Sequence, residues 1–367
     1  MGGTTNRFLA WLTAHKKLLL IIVPLVLLVM LAAVIWAVAG KPPGVSEPGA
    51  TAPKPAKVAH LLNGELVSPE LANRHPIAVM IENSPAARPQ VGLNSADLIY
   101  EAVTEGGITR FMAVYSQQFP QKVGPVRSAR SYFIDYLSEY DAFYVHAGGS
   151  PTAIARLGEY KIKAYPHAND GTYKREPQPG VASEHTLFAD ISKIYQYSVE
   201  RKKWPATIDF PAWKFKDPSP TPTATGAVTI NFSSGQFQVV WSHDPATNLY
   251  ARAMGGSSHT DRVTSEPVKA RTIIAMTVQR SANPAYKGSG KESEWTMTTI
   301  GEGAASIFQD GTRLDGTWKK PSRLERTRFY DTNGTEIVLT RGKIWIEIVP
   351  PTGSISVAPP PTAPTTP

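Results

Sequence analysis

An uncharged apolar run near the N-terminus is the most pronounced hydrophobic pattern in the chain. It extends from Leu18 to Ala39 and reads LLLIIVPLVLLVMLAAVIWAVA. A helix of about 20 such residues crosses the hydrocarbon core of a bilayer, and the run lacks the polar face of a surface helix. The pattern therefore predicts a single transmembrane helix over residues 18–39.

The charges around this run predict its orientation. Arg7, Lys16 and Lys17 precede it, whereas Lys41 is the only basic residue that follows closely. The positive-inside rule then places residues 1–17 in the cytoplasm and the later residues outside the cell membrane. The alternative is a signal peptide cleaved after Ala39, because Ala37-Val38-Ala39 has the spacing of a cleavage site. Both interpretations predict an extracytoplasmic protein.

Beyond a Pro-rich spacer at residues 40–69, strand and helix patterns alternate over residues 70–216. Apolar and β-branched runs predict strands at Ile77–Ile81, Asp97–Val103, Ile108–Tyr115 and Ala142–His146. Helical spacing and capping residues predict helices at Ser128–Tyr140, after Ser150-Pro151, and at Leu187–Lys202. This alternation predicts an α/β or α+β N-terminal exported domain.

The C-terminal half has a different pattern. Residues 217–226 read DPSPTPTATG and contain no large apolar residue, which predicts a linker between domains. Residues 227–350 carry short β-rich runs separated by Gly, Asn and Asp turns, which predicts a mainly antiparallel β domain. Residues 351–367 are rich in Pro, Thr and Ser, so they predict a disordered tail.

Composition narrows the classes of function. The 367-residue chain is 42% hydrophobic and 19% charged, which excludes wholesale disorder. It has no cysteine, so disulfides, thiolate metal sites, cysteine nucleophiles and a lipid-modified cysteine are excluded. Half of the net charge of +8 belongs to the four basic residues up to Lys41, and the remainder is too mild to predict a nucleic-acid partner. No common catalytic motif occurs, and neither a metal nor a cofactor is predicted.

The strongest candidates for a ligand-binding site are polar residues near the predicted strand ends of the N-terminal half. An arginine pair beside a helix start is a plausible anion clamp, and a strand followed by a Gly-rich loop and a helix start is typical of ligand sites in open sheets. The predicted ligand-facing residues are Glu101, Arg110, Arg127, Arg130, His146, Gly148, Gly149 and Ser150. The alternative is that Glu101 and Glu105 form purely structural salt bridges with the arginines.

Two further constellations leave other chemistry open. Glu101 or Glu105 could act as the acid or base of a hydrolase, with His146 or His185 assisting. His259 and Asp261 form a second candidate polar site, since two residues apart on a strand they share a face. Two ligands alone do not hold a metal securely, so a structural hydrogen bond is the favoured interpretation of this pair.

At these residues the sequence resembles the YerB-like family of bacterial extracytoplasmic proteins. The elements that carry the resemblance are Arg88–Leu93, Ala96–Glu101, Glu105–Phe111, Gly124–Arg130, Tyr140–His146, His259–Asp261 and Lys343–Pro350. The resemblance implies an exported protein with an N-terminal and a C-terminal domain of unknown function. It also implies anchoring through a lipid-modified cysteine in other members, which this chain lacks.

Together these patterns predict a membrane-anchored extracytoplasmic protein that binds an anionic or glycan ligand of the cell envelope, or an envelope protein, without turnover. The first alternative is a cell-wall-directed hydrolase that uses Glu101 or Glu105 with His146. The second is a structural scaffold of the envelope.

Overall fold

The chain divides into two compact units in a computed structural model that describes residues 11, 13–39, 56–283 and 294–358. The first unit, Met1–Pro55, contains helix α1 (Lys16–Ala39). The apolar side chains described on α1 are exposed, among them Leu20 at 66% and Trp36 at 79%. No helix in the described part of the chain qualifies by length and apolar content as a membrane crossing. The structure thus does not support the predicted transmembrane span.

The second unit, Ala56–Pro367, holds the remaining helices. Its α-helices are α2 (Pro69–Ala72), α3 (Ser131–Leu137), α4 (Pro151–Glu159) and α5 (Ile191–Glu200). Short 3-10 helices cover Pro85–Ala87, Leu93–Ser95, Glu105–Gly107, Ser138–Tyr140, Ser183–His185 and Gly235–Phe237. Capping sets where the longer helices begin: the Ser150 hydroxyl accepts from the N–H of Ala153, and the Asp190 carboxylate accepts from that of Lys193.

The strands described in the second unit are numbered here in chain order. They are β1 (Val58–Ala59), β2 (Leu66–Val67), β3 (Ile77–Glu82), β4 (Leu98–Val103), β5 (Thr109–Tyr115), β6 (Phe143–His146), β7 (Ala164–Pro166), β8 (Tyr173–Arg175), β9 (Leu187–Ala189), β10 (Phe215–Lys216), β11 (Val228–Asn231), β12 (Gln238–Asp244), β13 (Leu249–Met254), β14 (Ser257–Ser258), β15 (Lys269–Ala270), β16 (Thr272–Thr277), β17 (Arg280–Ala282), β18 (Trp295–Met297), β19 (Gly301–Gln309), β20 (Thr312–Lys320), β21 (Arg328–Asp331), β22 (Leu339–Thr340), β23 (Ile344–Val349) and β24 (Ser354–Val357).

Ten of these strands form one large mixed sheet in the order β21-β20-β19-β16-β23-β4-β5-β3-β6-β7. Strand β23 lies in its middle and is parallel to both β16 and β4. Because β4 comes from the N-terminal half and β16 and β23 from the C-terminal half, the two halves share one sheet. The two halves predicted as domains thus pair within one sheet and belong to one compact unit.

A second, antiparallel sheet packs against one face of the large one. Its order is β14-β13-β12-β11-β24, with β15 also paired to β13. One buried cluster joins alternate residues of the large sheet, such as Ile81 and Phe111, to Trp241 of the second sheet and Ile191 of α5. The opposite face of the large sheet, which includes Met80 and Met112, packs against helices α3 and α4. The large sheet is therefore the middle layer of three.

The polar segments that flank the core are more ordered than their composition predicts. Residues 56–69 of the predicted spacer contain β1 and β2, and residues 354–357 of the predicted tail form β24, which pairs with β11. The predicted linker is packed as well, because the Thr223 N–H donates to the carbonyl of Asp310 at 3.1 Å. Backbone pairing accounts for this order where side-chain burial is scarce. The rest of the predicted spacer and tail, residues 40–55 and 359–367, lies outside the described residues.

Candidate functional site

Four of the predicted site residues lie on the side of the large sheet where β3 and β6 end and β5 begins, here called the arginine edge. They are Arg110, Arg127, Arg130 and His146. Arg110 lies near the start of β5 and is paired with Glu82 at the end of β3. His146 ends β6, which is parallel to β3. The loop that carries Arg127 and Arg130 joins this edge through the bond from the Arg127 N–H to the carbonyl of Met80, 2.9 Å. Parallel strand ends thus collect these residues at one rim, as in open α/β sheets.

A single peptide unit connects Arg110 to His146. The carbonyl of Ser128 accepts from Arg110 Nη1 at 2.9 Å. The N–H of Ala129 donates to the carbonyl of Gly148 at 3.0 Å, and the same carbonyl accepts from His146 Nδ1 at 2.8 Å. The loop backbone therefore holds both side chains in place.

Arg110 has no carboxylate in an ion pair with it among the described residues. Its side chain is more than nine-tenths buried, and its Nε has no hydrogen-bond partner there. Burial, and to a smaller extent the neighbouring Arg130, lower the pKa of Arg110 to about 10. A buried cation without an ion pair is costly, so an incoming anion would be stabilised at this position.

Two more buried polar atoms belong to this group. Nε2 of His146 lacks a partner among the described residues, and the hydroxyl of Tyr144 has only the Arg130 backbone beside it, without a hydrogen bond of full geometry. The two rings lie 5.2 Å apart, and both residues are at most 2% exposed. Burial lowers the pKa of His146 below its ordinary value, which favours the neutral imidazole. Unsatisfied buried groups are rare in native proteins and mark places where a water or ligand completes the structure.

Arg130 is bound within the protein. Its Nε and Nη2 form a fork with Glu105, at 2.8 Å to Oε1 and 2.7 Å to Oε2. Burial acts to raise the pKa of Glu105, but the Arg130 guanidinium outweighs it and leaves the pKa below its ordinary value. The predicted structural salt bridge is present here, and Glu105 has the wrong tendency for a general acid.

Arg127 belongs to a second group centred on Glu82, a residue that sequence analysis missed. Glu82 Oε2 lies 3.1 Å from Arg127 Nε and 2.7 Å from His185 Nδ1, while Oε1 accepts from the Ser84 hydroxyl at 3.0 Å. Arg127 keeps 27% of its side chain exposed. Glu82 is the only polar residue of β3 and stands at its end, where a charged residue is common. Its sequence context therefore gives no signal, and only its contacts in the structure show that it belongs to this group.

Glu101 does not lie at the arginine edge. It shares the face of β4 that packs on the second sheet, where Arg252 of β13 forms an ion pair with it and both side chains are completely buried. The neighbouring Glu347 of β23 accepts from the indole N–H of Trp241 at 2.8 Å. Burial raises the pKa of Glu347, and the Glu101 carboxylate raises it further. Glu101 is therefore part of the contact between the sheets.

The glycine loop after His146 shapes the start of α4. Gly148 has φ +68°, a left-handed conformation that favours glycine, and a Cβ on Gly149 would lie 2.9 Å from Ile154. The Ser150 hydroxyl caps α4 and donates to Glu294 at 2.5 Å. Ser150 is thus engaged in the cap, as its sequence context predicts, and does not face an open site.

The second candidate polar site is an interior hydrogen-bond network. His259 accepts from Arg252 through Nδ1 at 2.5 Å, and its Nε2 lies 2.7 Å from Gln90 Oε1. Asp261 instead accepts from the backbone N–H groups of Asn94 and Val263. His259 and Asp261 share no partner, and no group of three metal-ligating residues occurs in the described part of the chain.

Open grooves on the described surface lie elsewhere. One of about 650 Å³ runs along β20 and β21 and is lined by Asp315 and Tyr330 among others. Another of about 410 Å³ lies at the opposite edge of the large sheet, beside Glu65, Arg271 and Lys343. Both are shallow and rich in side chains that already have protein partners.

Comparison with known proteins agrees with this architecture. Residues 62–204 match the N-terminal domain, and residues 228–346 the C-terminal domain, of the DUF3048 family of proteins of unknown function. The chain therefore belongs to this family, as the YerB-like resemblance implies.

A relative of similar length occurs in Bacillus subtilis. The chain is 29% identical over 314 residues to YerB of Bacillus subtilis (strain 168), which is named as a lipoprotein; the match covers 81% of this chain and 88% of YerB. The crystal structure of Bacillus subtilis YerB is similar with a TM-score of 0.71 and 27% identity, over 82% of this chain and 100% of that one.

Proposed function

We propose that this chain is a membrane-attached extracytoplasmic protein that binds an anionic ligand of the cell envelope at the arginine edge. The observation that carries the binding proposal is Arg110, a buried guanidinium without an ion pair among the described residues. Arg127 and Arg130 lie beside it and are each held by one carboxylate. A third carboxylate, Glu294, also acts on Arg130. The charge that an anion would neutralise is therefore that of Arg110, whose guanidinium is in no ion pair among the described residues.

Attachment to the membrane is supported by the sequence of α1 and by the lipoprotein relative. The chain has no cysteine for a lipid, so the apolar run Leu18–Ala39 is the segment available for this role. The run is uncharged and the described apolar side chains of α1 are exposed, so a lipid environment would cover them. No helix of the described residues qualifies as a membrane crossing, and the attachment proposal therefore rests on the sequence and on the relative.

Membrane fractionation of cells that express the full chain tests this attachment. We expect the protein to stay in the membrane pellet after alkaline carbonate extraction and to be digested by protease added to spheroplasts. Leu27→Arg with Leu28→Arg is expected to release it, whereas Thr13→Arg, outside the apolar run, is not. Recovery of the unaltered chain in the soluble fraction would overturn the attachment proposal.

Binding is tested with the full chain in detergent micelles, titrated with inorganic phosphate and with purified anionic envelope polymer. Arg110→Gln is expected to lower affinity for either probe at least tenfold, because it removes the buried charge while keeping a polar side chain. The exposed Arg201→Gln is the matched control and should bind as the unaltered chain does. Equal affinity of both variants would overturn the assignment to the arginine edge.

No observation favours the hydrolase. Glu101 is sealed between the sheets, Glu105 is bound by Arg130, and His146 and His185 have different partners. A general acid and base must reach the same substrate bond, whereas Glu101 is buried against the second sheet and Glu105 lies in the connection between β4 and β5. A pure scaffold role predicts that Arg110→Gln changes neither ligand affinity nor retention of envelope material.

A further inference from the structure

The arginine edge offers a hydrogen-bond acceptor beside its positive charge, and this combination narrows the ligand. We infer that the edge recognises a sugar or polyol that carries a phosphate, with the phosphate at Arg110 and a hydroxyl at His146. The inference rests on the proposed function of the same site and names the chemical class of its ligand.

The acceptor is Nε2 of His146. Its other ring nitrogen, Nδ1, lies 2.8 Å from the carbonyl of Gly148, which can only accept, so Nδ1 carries the proton. In the neutral imidazole Nε2 then presents a lone pair. This atom is buried and has no partner among the described residues. A fully ionised phosphate has no proton to donate to it, whereas a hydroxyl group has one.

The separation of the two residues indicates the size of the ligand. Arg110 lies on β5 and His146 on β6, and β3 runs between these strands. Neighbouring strands are about 4.8 Å apart, so the two backbones are separated by about 10 Å. A phosphorylated polyol of three or more carbons is long enough to place its phosphate at Arg110 and a hydroxyl at His146 across such a separation.

Tyr144 supplies a third polar group on the same face of the sheet. It lies two residues before His146 on β6; its hydroxyl is buried beside the backbone of Arg130 and forms no hydrogen bond of full geometry among the described residues. Burial raises the pKa of Tyr144, so the phenol stays protonated and can donate to a phosphate or accept from a hydroxyl. Donor, acceptor and cation thus follow one another along the proposed ligand.

The test compares phosphates that differ only in their hydroxyl groups, using the full chain in detergent micelles and isothermal titration calorimetry. We expect glycerol 1-phosphate to bind about tenfold or more tightly than methyl phosphate, because only the former can donate to Nε2. His146→Phe should reduce this preference to about onefold while leaving the affinity for methyl phosphate unchanged. Tyr144→Phe removes only the hydroxyl and should lower the affinity for both phosphates severalfold. This variant tests the site if His146→Phe fails to fold.

The outcomes separate the two proposals. Equal affinity of the unaltered chain for both phosphates overturns this inference and leaves anion binding at the edge intact. If the unaltered chain binds neither phosphate, or if Arg110→Gln binds them as tightly as the unaltered chain does, the proposed function is overturned as well. Binding with the expected preference supports the inference. Micelles doped with phosphatidylglycerol or with phosphatidylcholine then distinguish the sources: competition by the former alone indicates a lipid headgroup, and its absence a soluble or polymeric polyol phosphate.

Discussion

Arg252 on the second sheet forms an ion pair with Glu101 on the large sheet, and neither side chain is exposed to solvent. The guanidinium also lies against aromatic rings, with its carbon 4.6 Å from the ring centre of Trp345 and 5.6 Å from that of Trp241. Glu101 is in the N-terminal half of the chain and Arg252 in the C-terminal half. This pair therefore joins the two halves across the core.

Arg252→Met is expected to lower the free energy of unfolding by about 3 to 5 kcal/mol, because it leaves the Glu101 carboxylate buried without its cation. Urea denaturation followed by tryptophan fluorescence measures this change. The double change Glu101→Leu with Arg252→Met should recover much of the loss, since no charge then remains unpaired. The exposed pair of Lys319 and Glu302 is the control: Glu302→Gln should cost less than about 1 kcal/mol. An equally small effect of Arg252→Met would contradict the buried pair.

Asp97 should make stability depend on pH. Burial raises the pKa of Asp97 to about 7, from 3.8 in the unfolded chain, although the N–H groups of Gln117 and Ser116 oppose this. The folded state therefore holds the proton more tightly. The stabilisation is complete below about pH 4 and is lost as the pH rises towards 7, by about 4 kcal/mol at most.

Asp97→Asn is expected to remove this component of the pH dependence, because the amide oxygen still accepts from both N–H groups but does not titrate. Urea midpoints at pH 4 and pH 7 give the comparison, with the exposed Asp209→Asn as the control. If the unaltered chain and Asp97→Asn lose stability equally between the two pH values, Asp97 does not titrate in this range.

Gly311 should be intolerant of any side chain. Its φ is +68°, and an added Cβ would lie only 1.5 Å from the carbonyl oxygen of Thr223 in the segment predicted as a linker. Gly334 has a similar φ of +79° but open space around it. We expect Gly311→Ala to cost at least about 2 kcal/mol more than Gly334→Ala, which pays only the backbone term of about 1 kcal/mol. Thermal melts of both variants measure the difference, and equal costs would show that residues 217–226 are not packed on the core.

Ser150→Ala distinguishes a cap from a ligand contact. The serine caps α4 and bonds Glu294, so its loss should lower stability by about 1 to 2 kcal/mol without changing affinity for phosphate. Denaturation and calorimetry on the same preparation measure both quantities, and the exposed Ser242→Ala should alter neither. A weaker affinity for phosphate with unchanged stability would return Ser150 to the ligand-facing set.

The local hydrophobic pattern of the sequence predicted those strands and helices that consist of uninterrupted or regularly spaced apolar residues. The strands that became β3, β4, β5 and β6, the helix α3 and the capped start of α4 follow the predicted ranges closely. The helix predicted over Leu187–Lys202 is shorter, because Leu187–Ala189 pairs as β9 before α5 begins. Strands β13 and β20 depend less on local pattern, because polar residues alternate along them and hydrogen bonds to neighbouring strands hold them in the sheets.

The structure brings together some of the residues that the sequence predicts for a site and separates others. Arg110 and His146 were singled out from the composition of strand ends, and the structure brings them to one edge. Glu101 was included because it is close to Arg110 in sequence, yet the alternation of a strand turns it to the other face. Since β4 is buried on both faces, no polar side indicates which face a residue joins.

The sequence by itself determined the local order of this protein: an apolar N-terminal run, a mixed N-terminal half, a β-rich C-terminal half, the absence of cysteine chemistry and membership of its family. These features depend on residues near one another in the chain. Only the tertiary structure decided that β23 joins the halves into one sheet, that Arg252 holds Glu101, and that Arg110 remains without an ion pair among the described residues. Pairings over 150 or more residues are not encoded in any local pattern, because they depend on which strands become neighbours and which face of each strand is buried.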